Sequence, residues 1–425
     1  MSDRLGAWLL GRPNGYTTLR ASLARGDLLN TLEDALYRGQ IERRQFLRLA
    51  LAAGASLATA QSIAQEGGDA AITQLYNARN LQPEYDYIVV GSGSGGSVVA
   101  GRLAAETDAR VLVIEAGGTD QENPVLNPGL WPTNIRSERD WGRAAAPSPK
   151  VNNRSLILPM GKVVGGGSSV NASVWARGHK NDFDLWAAET GDPGWSYARV
   201  LEIYKRIEDW QGAPDPVRRG KGGRLWVAPA QNPNPIAQAM LAAAASMGIP
   251  KFDDQNGVMM EGAGGAAIAN LRIRDGRRRN LPADYLYQAL KRPDMTLLTG
   301  AEVQTLKMEG KRVKGVTFVR DGKVQTVRAA RRVVLCAGAI NTPKILMLSG
   351  IGDEAELKRH GIKVAVKLPG VGRNFQDHVL VASCIWEYNN PLPPANNAAE
   401  ATFFWKSDAS LPTPDLQPFQ LEVPS

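Results

Sequence analysis

The sequence predicts an α/β fold built on a Rossmann-like dinucleotide-binding domain, and three observations carry that expectation. Residues 85–90, "YDYIVV", form a short run rich in β-branched side chains, as expected of a strand buried on both faces of a parallel sheet. Gly91, Gly93 and Gly96 follow at once in the order G-x-G-x-x-G. A second apolar run, "RVLVIEAG", ends in an acid, Glu115, 19 residues beyond Gly96.

Each element has its own physical reason. Gly91 permits the tight turn out of the strand, Gly93 lets backbone approach a pyrophosphate, and Gly96 lets the next helix pack on the strand. That helix is expected from about Gly95 to Glu106, with its free N–H groups turned to the anion. The turn residues Ser92, Ser94 and Gly95 belong to the same site. Glu115, followed by Ala116, is placed to accept hydrogen bonds from a ribose hydroxyl. A lone glycine fingerprint is also found in unrelated turns; strand, helix, second strand and terminal acid in register make a dinucleotide site the better reading. The fingerprint does not choose between FAD and NAD.

At 425 residues, with 43% hydrophobic content, the chain is long enough for one large domain and part of another. Its two cysteines, Cys336 and Cys384, provide neither a disulfide framework nor a zinc site, and no metal centre is expected. The formal net charge of +8 is modest. The densest basic run, "LRIRDGRRRN" at residues 271–280, lacks interleaved aromatics and reads as a solvated loop, not a nucleic-acid surface.

Residues 1–80 read as a leader. Arg43 and Arg44 precede an Ala/Leu run to about Ala64, with small residues at Ala58-Thr59-Ala60 or Ser62-Ile63-Ala64. This pattern fits a twin-arginine export signal and a periplasmic protein. The alternative is an amphipathic surface helix on a cytoplasmic protein. No membrane span is expected, because Arg48 interrupts a weakly apolar stretch.

Downstream, "GKVVGGGSSVNASVWARGHKNDFD" at residues 161–184, "CAGAINTPKILMLSGIG" at residues 336–352 and "PGVGRNFQDH" at residues 369–378 accompany the fingerprint. So do "DW" at Asp140-Trp141, "GDPGWSYARVLEIYKRIED" at residues 191–209 and "RPDMTLLTGAEV" at residues 292–303. Together these motifs resemble the glucose–methanol–choline oxidoreductases, flavoenzymes that oxidise alcohols. The resemblance implies an FAD-binding domain at residues 84–378, with residues 182–250 as excursions toward the substrate side. Residues 379–425 would begin a substrate-binding domain that stays incomplete. It further implies that Val163, Gly167, Asn171 and Ala172 line the flavin and that the backbone of Val303 meets the adenine. Val170 stands where some family members carry a histidine that binds flavin covalently, so non-covalent FAD is expected.

These motifs also read from the residues upward. Gly165, Gly166 and Gly167 clear side chains from a close backbone approach, and Ser168, Ser169 and Asn171 supply short polar groups. A strand at "VVLC" should lead into a helix with Thr342 as N-cap and Pro343 at its first position, bringing Gly338 near the cofactor. Cys336 reads as a small core residue, and residues 389–401, "NNPLPPANNAAEA", as an exposed loop.

The family's chemistry passes hydride from an alcohol carbon to flavin while a histidine in a motif resembling H-P-x-G-T takes the hydroxyl proton. The three histidines here, His179, His360 and His378, each have a non-catalytic place in the family pattern, so no catalytic residue is assigned. The expected function is an FAD-dependent oxidoreductase acting on a choline-like or other primary alcohol or a sugar, with a quinone, cytochrome or oxygen as acceptor. The alternative is a catalytically inactive FAD-binding fragment or pseudoenzyme that lacks the family's C-terminal catalytic histidine. An NAD-dependent dehydrogenase would leave the downstream motifs unexplained.

Overall fold

The computed structural model describes residues 32, 35–36, 41–52, 73–74, 76–381, 384–387, 389 and 392–422. A short helix, α1 (Arg43–Ala52), comes first. The main domain opens with β1 (Glu84–Val90), turns into α2 (Ser94–Glu106) and returns along β2 (Val111–Ile114). Three helices follow, α3 (Lys180–Thr190), α4 (Tyr197–Ile207) and α5 (Pro235–Ser246), and then β3 (Gly265–Ile268). The chain completes its main sheet with β4 (Met295–Leu298), β5 (Ala301–Glu309), β6 (Arg312–Arg320) and β7 (Lys323–Leu335). Helix α6 (Gly338–Leu348) and the late strand β8 (Ala401–Phe404) come after it.

The six-stranded sheet has the order β4-β2-β1-β7-β6-β5. Strands β4, β2, β1 and β7 run parallel, and β7, β6 and β5 form an antiparallel meander. Alternating side chains explain why the parallel strands read as unbroken apolar runs. Ile88, Val90, Leu112 and Ile114 enter one core with Phe318 and Val316, whereas Val89, Val111 and Val113 enter another beneath Ala100, Ala104 and Leu286. With both faces covered, apolar residues dominate these strands, and Thr296 in β4 is a buried exception. Truncating one of these fully buried aliphatics to alanine costs roughly 2–5 kcal/mol.

The glycine turn ties α2 to this sheet. Gly91 has φ +94°, and a Cβ there would meet the Cys336 carbonyl oxygen at 2.5 Å. A Cβ on Gly96 would stand 1.8 Å from the Gly91 carbonyl oxygen. Helix and strand are therefore closer than any side chain allows.

Three expectations need correction. Helix α6 begins at Gly338, not at Thr342, and Pro343 lies inside it. The chain leaves β7 through Ala337 and a positive-φ Gly338, a turn as tight as that after β1, so helix starts sooner than the proline suggests. Residues 271–280 are not a solvated loop: Arg272, Arg278 and Asn280 are buried, and short paired strands run through the segment. Ion pairing of Arg272 and Arg279 with Asp284 makes that burial tolerable. Residues 397–401 are buried rather than exposed, because β8 pairs antiparallel with β3 and Asn397 donates to the Ala172 carbonyl at 2.6 Å. The late segment is thus joined to residues beyond the expected 182–250 excursion.

In α1, Phe46 and Ala50 pack against Leu36 and Ile41. The rest of the expected export segment, including Ala58-Thr59-Ala60 and Ser62-Ile63-Ala64, lies outside the described residues. Among the described residues no helix is long and apolar enough to cross a membrane.

Candidate functional site

A cavity of about 600 Å³ opens beyond the carboxyl ends of β1 and β2, where ligands bind in open α/β sheets. Nine of the residues expected at the site line it: Gly91, Gly93, Ser94, Gly95, Glu115, Ala116, Gly167, Asn171 and Val303. Gly338 and Val170 do so as well. The other four sit behind the wall. Ser92 and Val163 are fully buried, Gly96 is packed under the turn, and the Ala172 carbonyl is engaged by Asn397.

The glycines on the wall differ from those that hold the fold. A Cβ on Gly93 would come no nearer than 3.9 Å to any atom, and on Gly95 or Gly167 it would meet nothing within 4 Å. The protein itself leaves this space unfilled, so these positions form a cradle that added side chains would occupy. Gly93 is the N-cap of α2, and no side chain caps the helix. Its first N–H groups and the positive end of its dipole are left for an anion.

Glu115 closes one side. Its Oε2 accepts from the Ser92 amide at 2.9 Å and the Ser92 hydroxyl at 2.7 Å, and its Oε1 accepts from the Gly117 amide at 2.8 Å. Burial pushes this carboxyl's pKa up, while those bonds pull it back. Its oxygens keep acceptor capacity for a hydroxyl.

The facing wall adds Trp131, Arg139 and Met160, which the sequence reading did not single out, and Trp141, Asn341 and Lys344, which lie within its motifs but were given no role. The Arg143 guanidinium lies 5.2 Å and the Lys162 ammonium 5.1 Å from the Trp141 ring centroid. Arg139 is held by Asn134 at 2.8 Å and by Glu138 and Glu122. Lys344 on α6 pairs with Glu302 on β5 at 3.2 Å. The Asp140-Trp141 pair and the run at residues 336–352 were the sequence signals for this wall.

Asn171 faces the cavity from a loop that folds onto Arg278. Its Oδ1 accepts from the Ser173 amide at 3.0 Å and from Arg278 Nη1 at 2.8 Å.

No histidine lines the cavity among the described residues. His179 is the buried N-cap of α3; its Nδ1 accepts from the Asn181 amide and its Nε2 lies 2.8 Å from the Gly262 carbonyl. His360 and His378 are exposed. Cys336 touches the cavity, but burial raises its thiol pKa, away from a thiolate nucleophile. Among the described residues no His/Cys/Asp/Glu group could hold a metal ion.

The GMC oxidoreductase family profile matches residues 85–380. The oxygen-dependent choline dehydrogenase of Brucella anthropi is 37% identical over 359 residues, covering 79% of this chain and 64% of that protein. The crystal structure of pyridoxine 4-oxidase from Mesorbium loti superposes with TM-score 0.72 at 32% identity, covering 79% of this chain and 70% of that one. An FAD-dependent oxidoreductase from Chaetomium thermophilum superposes with TM-score 0.62 at 31% identity, covering 67% and 51% respectively. The chain thus spans 64% of the first relative's length and 51% of the last structure's.

Proposed function

Because the chain belongs to the GMC oxidoreductase family, we propose that it binds FAD non-covalently in this cavity and serves the oxidation of a small alcohol. The observation that carries the reading is the open cradle of Gly93, Gly95 and Gly167 around the uncapped N-terminus of α2. The residues fit the cofactor in kind. The α2 N-terminus would take the pyrophosphate, Glu115 the adenosine ribose, the Val303 backbone the adenine, and Gly167 with Asn171 the ring. Val170 supports a non-covalent site, since it lines the cavity and offers no nucleophilic atom.

When bound, FAD supplies a two-electron acceptor for hydride leaving an alcohol carbon. The chain's own part is to hold and orient the cofactor and to keep water from its ring with the Trp131 and Trp141 wall. Taking the hydroxyl proton needs a base within hydrogen-bond reach of the substrate. With each histidine placed elsewhere, a second reading gains support: these 425 residues bind FAD without turning over alcohol.

The names of the relatives suggest choline and pyridoxine as first substrates to try, alongside primary alcohols and sugars. The acceptor would be oxygen, a quinone or a cytochrome. Purified protein should be loaded with FAD and mixed anaerobically with each compound while flavin absorbance is followed. Rapid bleaching supports the alcohol oxidoreductase, bound flavin that never bleaches supports the second reading, and failure to bind FAD overturns both. The Arg43-Arg44 pair supports export of the loaded protein to the periplasm.

A further inference from the structure

Arg278 is 4% exposed, and no carboxylate contacts it among the described residues. Its Nε donates to the Val125 carbonyl at 2.8 Å, and its Nη1 to the Ser168 carbonyl at 3.3 Å and to Asn171 Oδ1 at 2.8 Å. Nη2 has no partner among the described residues. Nearby Arg272 is equally buried but pairs with Asp284. Burial lowers the Arg278 pKa to about 10, so the group is still a cation near neutral pH. A buried, unpaired guanidinium is costly to keep. Oxygens fixed in its fork are all that offsets the cost here.

One of those oxygens belongs to the cavity wall. The Asn171 amide oxygen already receives two N–H donors, from Ser173 and Arg278. Turning the amide over would set its NH₂ against both donors, so only one orientation is compatible with them. The atom left unused is Nδ2, a donor, on a residue that lines the cavity.

We propose that Arg278 is a positioning residue: acting through Asn171, it fixes the amide so that a hydrogen-bond donor, not an acceptor, meets the cofactor. The inference rests on the reading of the cavity as an FAD site. It suits a ligand edge rich in acceptors, such as the carbonyl and imine atoms of an isoalloxazine ring.

A double-mutant cycle on FAD affinity tests it. Apoprotein of the full chain, Arg278→Met, Asn171→Ala and the double variant are titrated with FAD by fluorescence quenching, with thermal unfolding of each recorded. Each single change is expected to weaken FAD binding about tenfold, and the double variant no more than Asn171→Ala alone, because interactions acting through one residue do not add. Arg278→Lys, which keeps a donor for Asn171, should recover part of the affinity; it also takes the place of Arg278→Met in the cycle if that variant does not fold. A merely structural Arg278 would lower the unfolding temperature while the two losses multiplied. Multiplying losses, or wild-type affinity in Arg278→Met, overturns the inference and leaves the FAD site standing. A wild-type chain that does not bind FAD overturns the parent reading and this one with it.

Discussion

Exchanging two glycines of one motif for alanine should have opposite consequences. On Gly96 a Cβ would overlap the Gly91 carbonyl oxygen at 1.8 Å, well inside any real contact. That oxygen ends β1, whose Val89 and Val90 are buried in two cores, so it cannot retreat cheaply. Overpacking of this kind costs roughly 1–3 kcal/mol and sometimes more. Gly96→Ala should therefore melt well below the wild type with or without cofactor. On Gly93 the nearest atom to a new Cβ is 3.9 Å away, and the backbone there, φ −61° and ψ −167°, suits any residue. Gly93→Ala should lose at most about 1 kcal/mol of stability, the worth of a glycine N-cap over alanine. Yet its methyl group would occupy the cradle beside the α2 N-terminus. Holding a pyrophosphate even slightly off those N–H groups should weaken FAD binding at least tenfold, about 1.4 kcal/mol. Thermal melts of the apoproteins and FAD titrations of both variants give the four numbers needed. A Gly93→Ala protein that binds FAD as tightly as wild type would refute the cradle, and a Gly96→Ala protein of normal stability would refute the packing argument.

Glu115→Ala should weaken FAD binding by roughly 1–3 kcal/mol, the range for a charge-assisted hydrogen bond. In the wild type, affinity should be full where Glu115 is ionised and fall as pH drops through its pKa, which burial raises; the same fall in Glu115→Gln would assign the dependence elsewhere. Acid precipitation of the FAD complex should leave the yellow colour in the supernatant, and flavin in the pellet would contradict the Val170 argument. Residues 1–70 fused to a reporter that requires the twin-arginine pathway should direct it to the periplasm, and changing Arg43 and Arg44 to lysine should abolish the signal; equal signal from both fusions would end the export proposal.

The dinucleotide half of the site was legible because it is local. Strand, glycine turn, helix and terminal acid follow one another within residues 84–115, and sterics dictate each step. The facing wall was legible only in part, since Trp131 and Arg139 are brought to it by loops with no periodicity to mark them. Burial of charge was the other blind spot. Arg278 looks like its exposed neighbour Arg277 in sequence, and the oxygens of Val125, Ser168 and Asn171, far away along the chain, make the interior acceptable to it. Pro343 misled for a related reason, because the turn after β7 had already fixed where α6 begins.

The stitch between the late segment and the cavity has a consequence in time. Asn397 donates to the Ala172 carbonyl across 225 residues of chain and accepts from Trp131 Nε1 across 266. A ribosome adding roughly 5–20 residues per second needs about 10–45 s to cover the shorter of those gaps. Arg278 and Cys336, which pack the Asn171 loop and the glycine turn, emerge within that interval, so both can be folded while the Asn397 brace is still unmade. On the proposed FAD reading, cofactor capture during synthesis would therefore compete with bracing of the Ala172 loop by a segment made much later.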